Sequence, residues 1–285
     1  MIPVFADSQR TRIAHIYNGL TINQRIGGSN KDIVEVNSVR VQTQIQHIRE
    51  PREYESGMEA YGAFKRGKLL SLQGIVRATT WGGLYDRIEE VAAAFDPEAV
   101  SRDNPDTFGF LPYDFDVPTA DTVNFPTGLM PCRYYARAEQ AFEPPISQYA
   151  GIAVPFALPM LAADSRRYLQ STSQLTGSGI ADNSIATTWS WPTLTIAMTG
   201  AGSPIFEISS TEAVGTLVLD LSGCVNGDSV AVDMERRKVT KNGVEVPSFY
   251  VSGDFWHMEP GVNTIAIANG TNASPTLTWR SAFSN

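Results

Sequence analysis

The stretch Val232-Asp233-Met234-Glu235-Arg236-Arg237-Lys238-Val239, followed by Asn242-Gly243 and then by Gly253-Asp254-Phe255-Trp256-His257-Met258-Glu259-Pro260-Gly261-Val262-Asn263-Thr264-Ile265, decides the reading of this chain. Asn-Gly is the strongest short hairpin signal, because a two-residue type I′ turn needs positive φ at both central positions and these two residues tolerate it. Asn242 and Gly243 are therefore predicted to fold Val239 back on Val246. At Glu259-Pro260-Gly261 the proline presets φ and the glycine can take the positive φ of a type II turn, which would set Phe255 and Ile265 on adjacent strands. The expectation is one antiparallel meander of three strands.

Around that stretch, residues 185–198, 204–209, 216–221, 229–240, 244–251, 264–268 and 276–279 recur as short strands at close spacing, which predicts a β-sandwich with no helix. Between Leu161 and Gly179 the hydrophobic density falls and Ser, Thr and Gly gather. The domain boundary is placed there, dividing residues 1–165 from 166–285. Upstream, residues 12–18, 19–26 and 33–48 read as strands of a twisted antiparallel sheet, broken at 27–32. Val39, Val41, Thr43 and Ile45 alternate with Arg40, Gln42, Gln44 and Gln46, so one face is predicted to be buried and the other to present amide and cationic groups.

From Thr80 to Phe95 the period changes. Leu84, Ile88, Val91, Ala92 and Phe95 sit at helical spacings and Asp96-Pro97 supplies a stop, which predicts one amphipathic helix over about 81–95. Residues 96–131, rich in Pro, Asp and Asn, read as a long irregular loop of the kind often bound by a partner. Residues 132–140 and 149–159 regain strand character.

The chain of 285 residues carries 18% charged and 42% hydrophobic residues. That is long enough for two self-supporting cores, and low in charge, as for a turn-rich β chain whose surface is partly covered by neighbours. A formal net charge of −8 speaks against a nucleic-acid groove, which needs clustered Lys and Arg to displace counterions. The run Arg236-Arg237-Lys238 on a predicted hairpin strand reads as a solvated or subunit-facing edge. Cys132 and Cys224 fall in different predicted domains, so no disulfide framework is expected. The N-terminal residues lack the pattern of a signal peptide, and no run approaches the ~20 apolar residues of a membrane helix, so synthesis and folding in a cytoplasm are expected.

These patterns carry a family resemblance. The aspartate-bearing strand, the Asn-Gly hairpin and the aromatic strand ending in Pro260-Gly261-Val262-Asn263 resemble the C-terminal half of the distal tail proteins of long-tailed phages. Asn18-Gly19-Leu20-Thr21-Ile22-Asn23, then Glu55-Ser56-Gly57, then Gly67-Lys68-Leu69-Leu70-Ser71-Leu72-Gln73-Gly74-Ile75-Val76 resemble their N-terminal half in order, so nearly the whole chain is covered. The resemblance implies a mainly β fold: an N-terminal β-rich ring (belt) domain with one helix and a C-terminal galectin-like, jelly-roll sandwich. It implies a structural virion protein at the distal end of the tail. Six copies would form a hub ring joining the tail tube protein to the tail-tip hub or tail-associated protein and to receptor-binding parts. The ring self-contact would involve residues 40–48, with Arg40, Gln42, Gln44 and Gln46 presented outward, and the helix at 80–95.

No chemistry competes strongly with that reading. His15, His47 and His257 have no ligand partners at metal spacing, and no nucleophile elbow, phosphate-binding loop or dinucleotide fingerprint is present, so no catalytic residue, metal or cofactor is expected. Glu89 with Glu90, and Asp114 with Asp116, could be imagined as a glycosidase pair. The first pair lies on the polar helix face and the second in a loop of turn formers, so both read as solvated surface. Trp189, Trp191, Trp256 and Trp279 crowd the C-terminal half. Most such residues pack cores, but Trp189 and Trp191, two apart, share a face, and either Phe255 or Trp256 is expected to be exposed. Trp189, Trp191 and Trp256 are thus candidates for a glycan or partner contact. The alternative function is a carbohydrate-binding adhesion module used in host attachment.

Overall fold

The computed structural model describes residues 15–22, 33–51, 58–98, 110–143 and 153–284, with backbone alone for 15, 33, 37, 44–51 and 58–66. It divides into two compact units, residues 1–167 and 168–285. The chain is mainly β, and the single α-helix among the described residues falls in the first unit.

The N-terminal unit runs β1 (His15–Tyr17), β2 (Leu20–Ile22), β3 (Ile33–Pro51), β4 (Met58–Arg77), helix α1 (Trp81–Ala94), β5 (Leu111–Pro118), β6 (Leu129–Ala138) and β7 (Ala153–Ala162), with β8 (Arg167–Leu169) at the boundary. Strands pair antiparallel in the order β2-β1-β5-β6-β7-β4-β3, and the two ends of that path, β2 and β3, lie against each other, so the sheet nearly closes. Asn18 (φ 47°) and Gly19 (φ 80°) make the β1–β2 turn, the same chemistry as at Asn242-Gly243. Alternate residues of β4, β6 and β7, among them Leu70, Leu72, Tyr134, Leu158 and Met160, fill one core.

Helix α1 covers that core as its period predicts. Thr80 caps the N-terminus, its Oγ1 accepting from the Gly83 N–H at 3.1 Å, which satisfies one of the donors a helix leaves free. Leu84, Ile88, Val91 and Ala94 are buried, whereas Ala92, predicted inward, is only half-buried. Phe95 ends the helix fully buried, stacked on Tyr17 with ring centroids 4.7 Å apart, and Asn18 Nδ2 donates to the Ala94 carbonyl. The helix end is thereby fixed to the β1–β2 hairpin.

The predicted loop at 96–131 is corrected. Residues 99–109 lie outside the described residues, but 111–118 form β5, in the middle of the sheet. Leu111, Tyr113, Phe115 and Val117 keep a strand period, obscured by Pro112, Asp114, Asp116 and Pro118, residue types depleted in strands. β1 pairs only with Tyr113 and Asp114, so neither proline has to donate to that neighbour. Nor is Asp114 solvated loop surface: it pairs across the ladder with Arg133, Nε to Oδ1 at 2.9 Å and Nη2 to Oδ2 at 3.2 Å. Burial pushes the Asp116 carboxyl up. Glu89 and Glu90 are exposed on α1 as expected.

The C-terminal unit contains β9 (Ser173–Thr176), β10 (Gly179–Asn183), β11 (Thr193–Met198), β12 (Phe206–Ser210), β13 (Gly215–Leu219), β14 (Ser229–Asp233), β15 (Lys238–Lys241), β16 (Val244–Glu245), β17 (Tyr250–Gly253), β18 (Gly261–Ala268), β19 (Ala273–Trp279) and β20 (Ala282–Phe283). Two antiparallel sheets, β10-β18-β12-β13-β17 and β16-β15-β14-β11-β19-β9, face each other. Their inward residues, among them Leu194, Ile196, Val230, Val232, Phe206, Ile208, Leu217 and Leu277, share one core, which makes the predicted sandwich.

Asn242 (φ 50°) and Gly243 (φ 82°) form the expected hairpin, and the Val246 N–H donates to the Val239 carbonyl at 2.8 Å. The meander is corrected. After β16 a 3₁₀ turn at Pro247–Phe249 carries the chain to the opposite sheet, where β17 pairs with β13. β18 pairs instead with β10 and β12, so Phe255 lies outside the strands and is no neighbour of Ile265. The strand expected over 229–240 is also broken, at a turn in which Arg237 takes φ 55°. Arg236 is not a solvated edge: its side chain is largely buried, with Nε 3.7 Å from the Asp233 carboxylate. β9 lies within the stretch 161–179, where hydrophobic density falls, and β10 follows it directly; each ends its sheet, and edge position explains their polar composition. Cys132 and Cys224 are buried free thiols, and burial pushes the Cys132 thiol up to about 11.

The Asn242 hairpin is anchored by an ionic clamp. Asp228 Oδ2 accepts from Lys241 Nζ and from the Val225 N–H, each at 2.8 Å, while Oδ1 accepts from Asn242 Nδ2 at 2.8 Å. Lys241, then the Val225 amide and the Asn242 amide, hold the Asp228 carboxyl at about 2. A carboxyl depressed in the folded state contributes stability above its unfolded pKa and loses it as pH falls through the folded one. Stability of the C-terminal unit is therefore expected to fall between about pH 4 and pH 2, and Asp228→Asn to flatten that limb in acid titrations followed by tryptophan fluorescence.

Candidate functional site

The site candidates from sequence fall into two sets, one in each unit. In the N-terminal unit, Arg40 and Gln42 are exposed on β3 beside Ser38, opposite in phase to the half-buried Val39 and Val41. With its carboxamide oxygen turned toward Arg40, Gln42 accepts from Nε and Nη2 at 3.1 and 3.0 Å. Thr43, predicted inward, is exposed, because it sits opposite Lys68 where β7 ends at Ala162. The side chains of Gln44, Ile45 and Gln46 lie outside the described residues. Among the described residues β3 pairs only with β4, and beyond Lys68 no third strand supports their hairpin. β3 is thus a long edge that the three-residue β2 lies against only in part, and the remainder is the kind of strand onto which another chain can add.

In the C-terminal unit, Trp189 and Trp191 are brought together and Trp256 is not. Ser190 and Met258 form an antiparallel bridge, the Ser190 N–H donating to the Met258 carbonyl at 3.0 Å and the Met258 N–H to the Ser190 carbonyl at 2.7 Å. Both central residues are fully buried. Alternation therefore puts Trp189, Trp191, His257 and Glu259 on one side as a two-by-two tile, in which Trp189 is exposed and Trp191 is half-buried, packed in part against the sandwich core. The two indoles meet edge to face at 5.3 Å, and the His257 ring lies 4.8 Å from Trp189 and 5.6 Å from Trp191. His257 Nε2 is 2.6 Å from Glu259 Oε1. Trp189 is 36% exposed.

The tile rests on a rigid base. Asn263, wholly buried, accepts from the Glu259 N–H through Oδ1 at 3.0 Å and donates back to the Glu259 carbonyl through Nδ2 at 2.9 Å. Asn183, also wholly buried, donates to the same carbonyl at 3.0 Å, and Ser281 Oγ donates to Asn183 Oδ1 at 2.8 Å. Buried amides satisfied on both sides fix a backbone more firmly than exposed ones.

Trp256 is corrected as a contact candidate. It is 3% exposed, belongs to the sandwich core, and packs on Gly215 so closely that a Cβ there would sit 2.9 Å from it. Phe255, not Trp256, is the outward member of that pair, half-buried and stacked on Tyr250. His257 and Glu259 were missed as site members. The signal was present in the sequence: Trp189-Ser190-Trp191 and His257-Met258-Glu259 share one out-in-out pattern.

Residues 185–283, which carry the whole tile, match the family model described as the siphovirus-type tail component, C-terminal domain. Both units together have the fold of SPP1 Dit (gp 19.1) protein, described as a paradigm of hub adsorption apparatus in Gram-positive infecting phages: TM-score 0.60 at 17% identity, over 95% of this chain and 99% of that one. Chains of the phage p2 baseplate in its activated conformation also match, at 7% identity over 93% of this chain and 97% of theirs, with TM-scores of 0.48 in the structure with Sr and 0.43 in that with Ca. Comparison with curated protein sequences gave no match. The chain is therefore Dit-like in fold, as the resemblance implied. Among the described residues, no helix is long and apolar enough to cross a membrane.

Proposed function

We propose that this chain is a distal tail protein, a structural part of the virion in which six copies close a hub ring between the tail tube and the tail-tip or receptor-binding apparatus. The observation that carries the reading is the tail-component match over residues 185–283. The Dit fold across both units supports it. In this reading the N-terminal unit makes the ring, the galectin-like C-terminal unit projects from it, and the protein works by assembly, without catalysis. The exposed edge of β3, with Arg40, Gln42, Gln44 and Gln46, and the exposed Trp81 and Tyr85 one helical turn apart on α1, are the surfaces for self-contact. A ring of this type joins two different patches on each subunit, so altering either one opens it.

The test is the mass and shape of the purified chain, by light scattering and negative-stain microscopy, alone and mixed with the tail tube protein. A six-copy ring with a central opening is expected, lost in Arg40→Glu/Gln42→Glu, whose positions are exposed and leave each unit folded. A single-copy species under both conditions would overturn the proposal.

A further inference from the structure

We propose that the tile of Trp189, Trp191, His257 and Glu259 is a binding site for an uncharged pyranose ring. The inference does not depend on ring assembly; it rests on the chemistry the tile presents. Indole faces are electron-rich and attract the electropositive C–H face of a sugar or a cation. The hydrogen-bonding groups then decide between the two. Glu259 Oε1 is engaged by His257 Nε2, which in the neutral ring makes Nε2 the donor and leaves Nδ1 an acceptor. Glu259 Oε2 is a second acceptor, on a carboxylate oriented by the His257 contact and a backbone held by Asn263.

A ligand that suits the tile therefore has an apolar C–H face flanked by at least two O–H donors. A pyranose has both. Phosphates, uronates and other anions bring charge against the Glu259 carboxylate on a chain of net charge −8, and their anionic oxygens are acceptors where donors are required. A quaternary ammonium has no donor for Oε2 or Nδ1. The rigid base matters as much as the contacts, because a site already held in its binding geometry loses less entropy on association. One sugar ring on one aromatic pair is expected to bind with about millimolar affinity.

The experiment uses the full chain and saturation-transfer NMR with the methyl α- and β-glycosides of glucose, galactose, mannose and N-acetylglucosamine, together with tetramethylammonium and inorganic phosphate. Saturation transfer to the C–H face of at least one glycoside is expected. It should fall about tenfold in Trp189→Ala, a substitution at an exposed position, and weaken in Glu259→Gln, which keeps the shape of the side chain and the backbone grip. Circular dichroism checks that each variant is folded, and Glu259→Gln decides the matter if Trp189→Ala is not. No transfer to any glycoside, equal transfer in the variants, or binding of tetramethylammonium or phosphate in place of sugar would each overturn the proposal.

Discussion

Replacing Gly253 with alanine is expected to destabilise the C-terminal unit by about 3 kcal/mol. Gly253 has φ +100°, and a Cβ built on it would meet the Thr216 carbonyl oxygen at 1.9 Å and Leu217 Cα at 3.2 Å. These are backbone atoms of β13, the strand with which Gly253 pairs through Leu217, so no side chain can turn aside to make room. The unfavourable φ contributes roughly 1 kcal/mol and the clash the rest, through separation of β17 from β13. The Asp254 N–H bond to Thr216 and the Tyr250 hydroxyl bond to Gly253, at 2.9 and 2.8 Å, would go with it. Urea unfolding followed by tryptophan fluorescence reads the result. Four of the five tryptophans lie in the C-terminal unit, so its transition dominates the signal. An unchanged midpoint would mean that β17 peels away at no cost.

Truncating Phe95 to alanine is expected to destabilise the N-terminal unit by about 3–5 kcal/mol. The ring is wholly buried and stacked on Tyr17 with planes 11° apart, and Tyr17 in turn meets Tyr113 at 6.4 Å. Removing it opens a cavity where the end of α1, the β1–β2 hairpin and β5 converge. Phe95→Leu should recover most of the loss, because the volume is largely restored. Far-UV circular dichroism during urea unfolding, with the Trp81 environment as a local probe, measures both variants. Equal stability of Phe95→Ala and the parent would show that these elements hold together without it.

The two sites of largest effect were unequally legible. The helix was readable to within a residue, since Leu84, Ile88 and Val91 carry its period and Asp96-Pro97 its stop. Gly253 could be read as a turn former, but its contact with β13 is a tertiary fact that no local pattern encodes. β5 was hidden by Pro112 and Asp114, whose disfavour in strands is offset by a short neighbour and by Arg133. β9 and β10 were hidden because edge strands need no apolar face on both sides. The three-strand meander failed because a turn signal specifies a reversal, and does not specify the sheet in which the chain continues.

The tile shows the same division. Trp189 and Trp191 were readable as a pair from spacing alone. The choice between Phe255 and Trp256 was readable too, had the period been followed two residues further. Met258 shares the phase of Trp256, and Phe255, His257 and Glu259 share the other. What sequence does not give is that Ser190 lies opposite Met258, the long-range pairing that turns two separate patterns into one surface.

The order of strands in the C-terminal sandwich bears on how the protein is made. β11, near the start of the unit, is paired on one side by β19, near its end, and β10 is paired by β18. Pairings this distant in sequence must await loop closure, which makes such topologies slow to form. During synthesis Leu194 and Ile196 emerge long before Leu277 and Pro275, their respective ladder neighbours, leave the ribosome. The nascent sandwich then presents apolar strands without partners, while α1 and the β3–β4 hairpin of the preceding unit find their contacts close at hand. Crowded translation of such a chain makes premature association between copies a hazard before the last strand arrives, and a need for chaperone cover is the cost of the interleaved design.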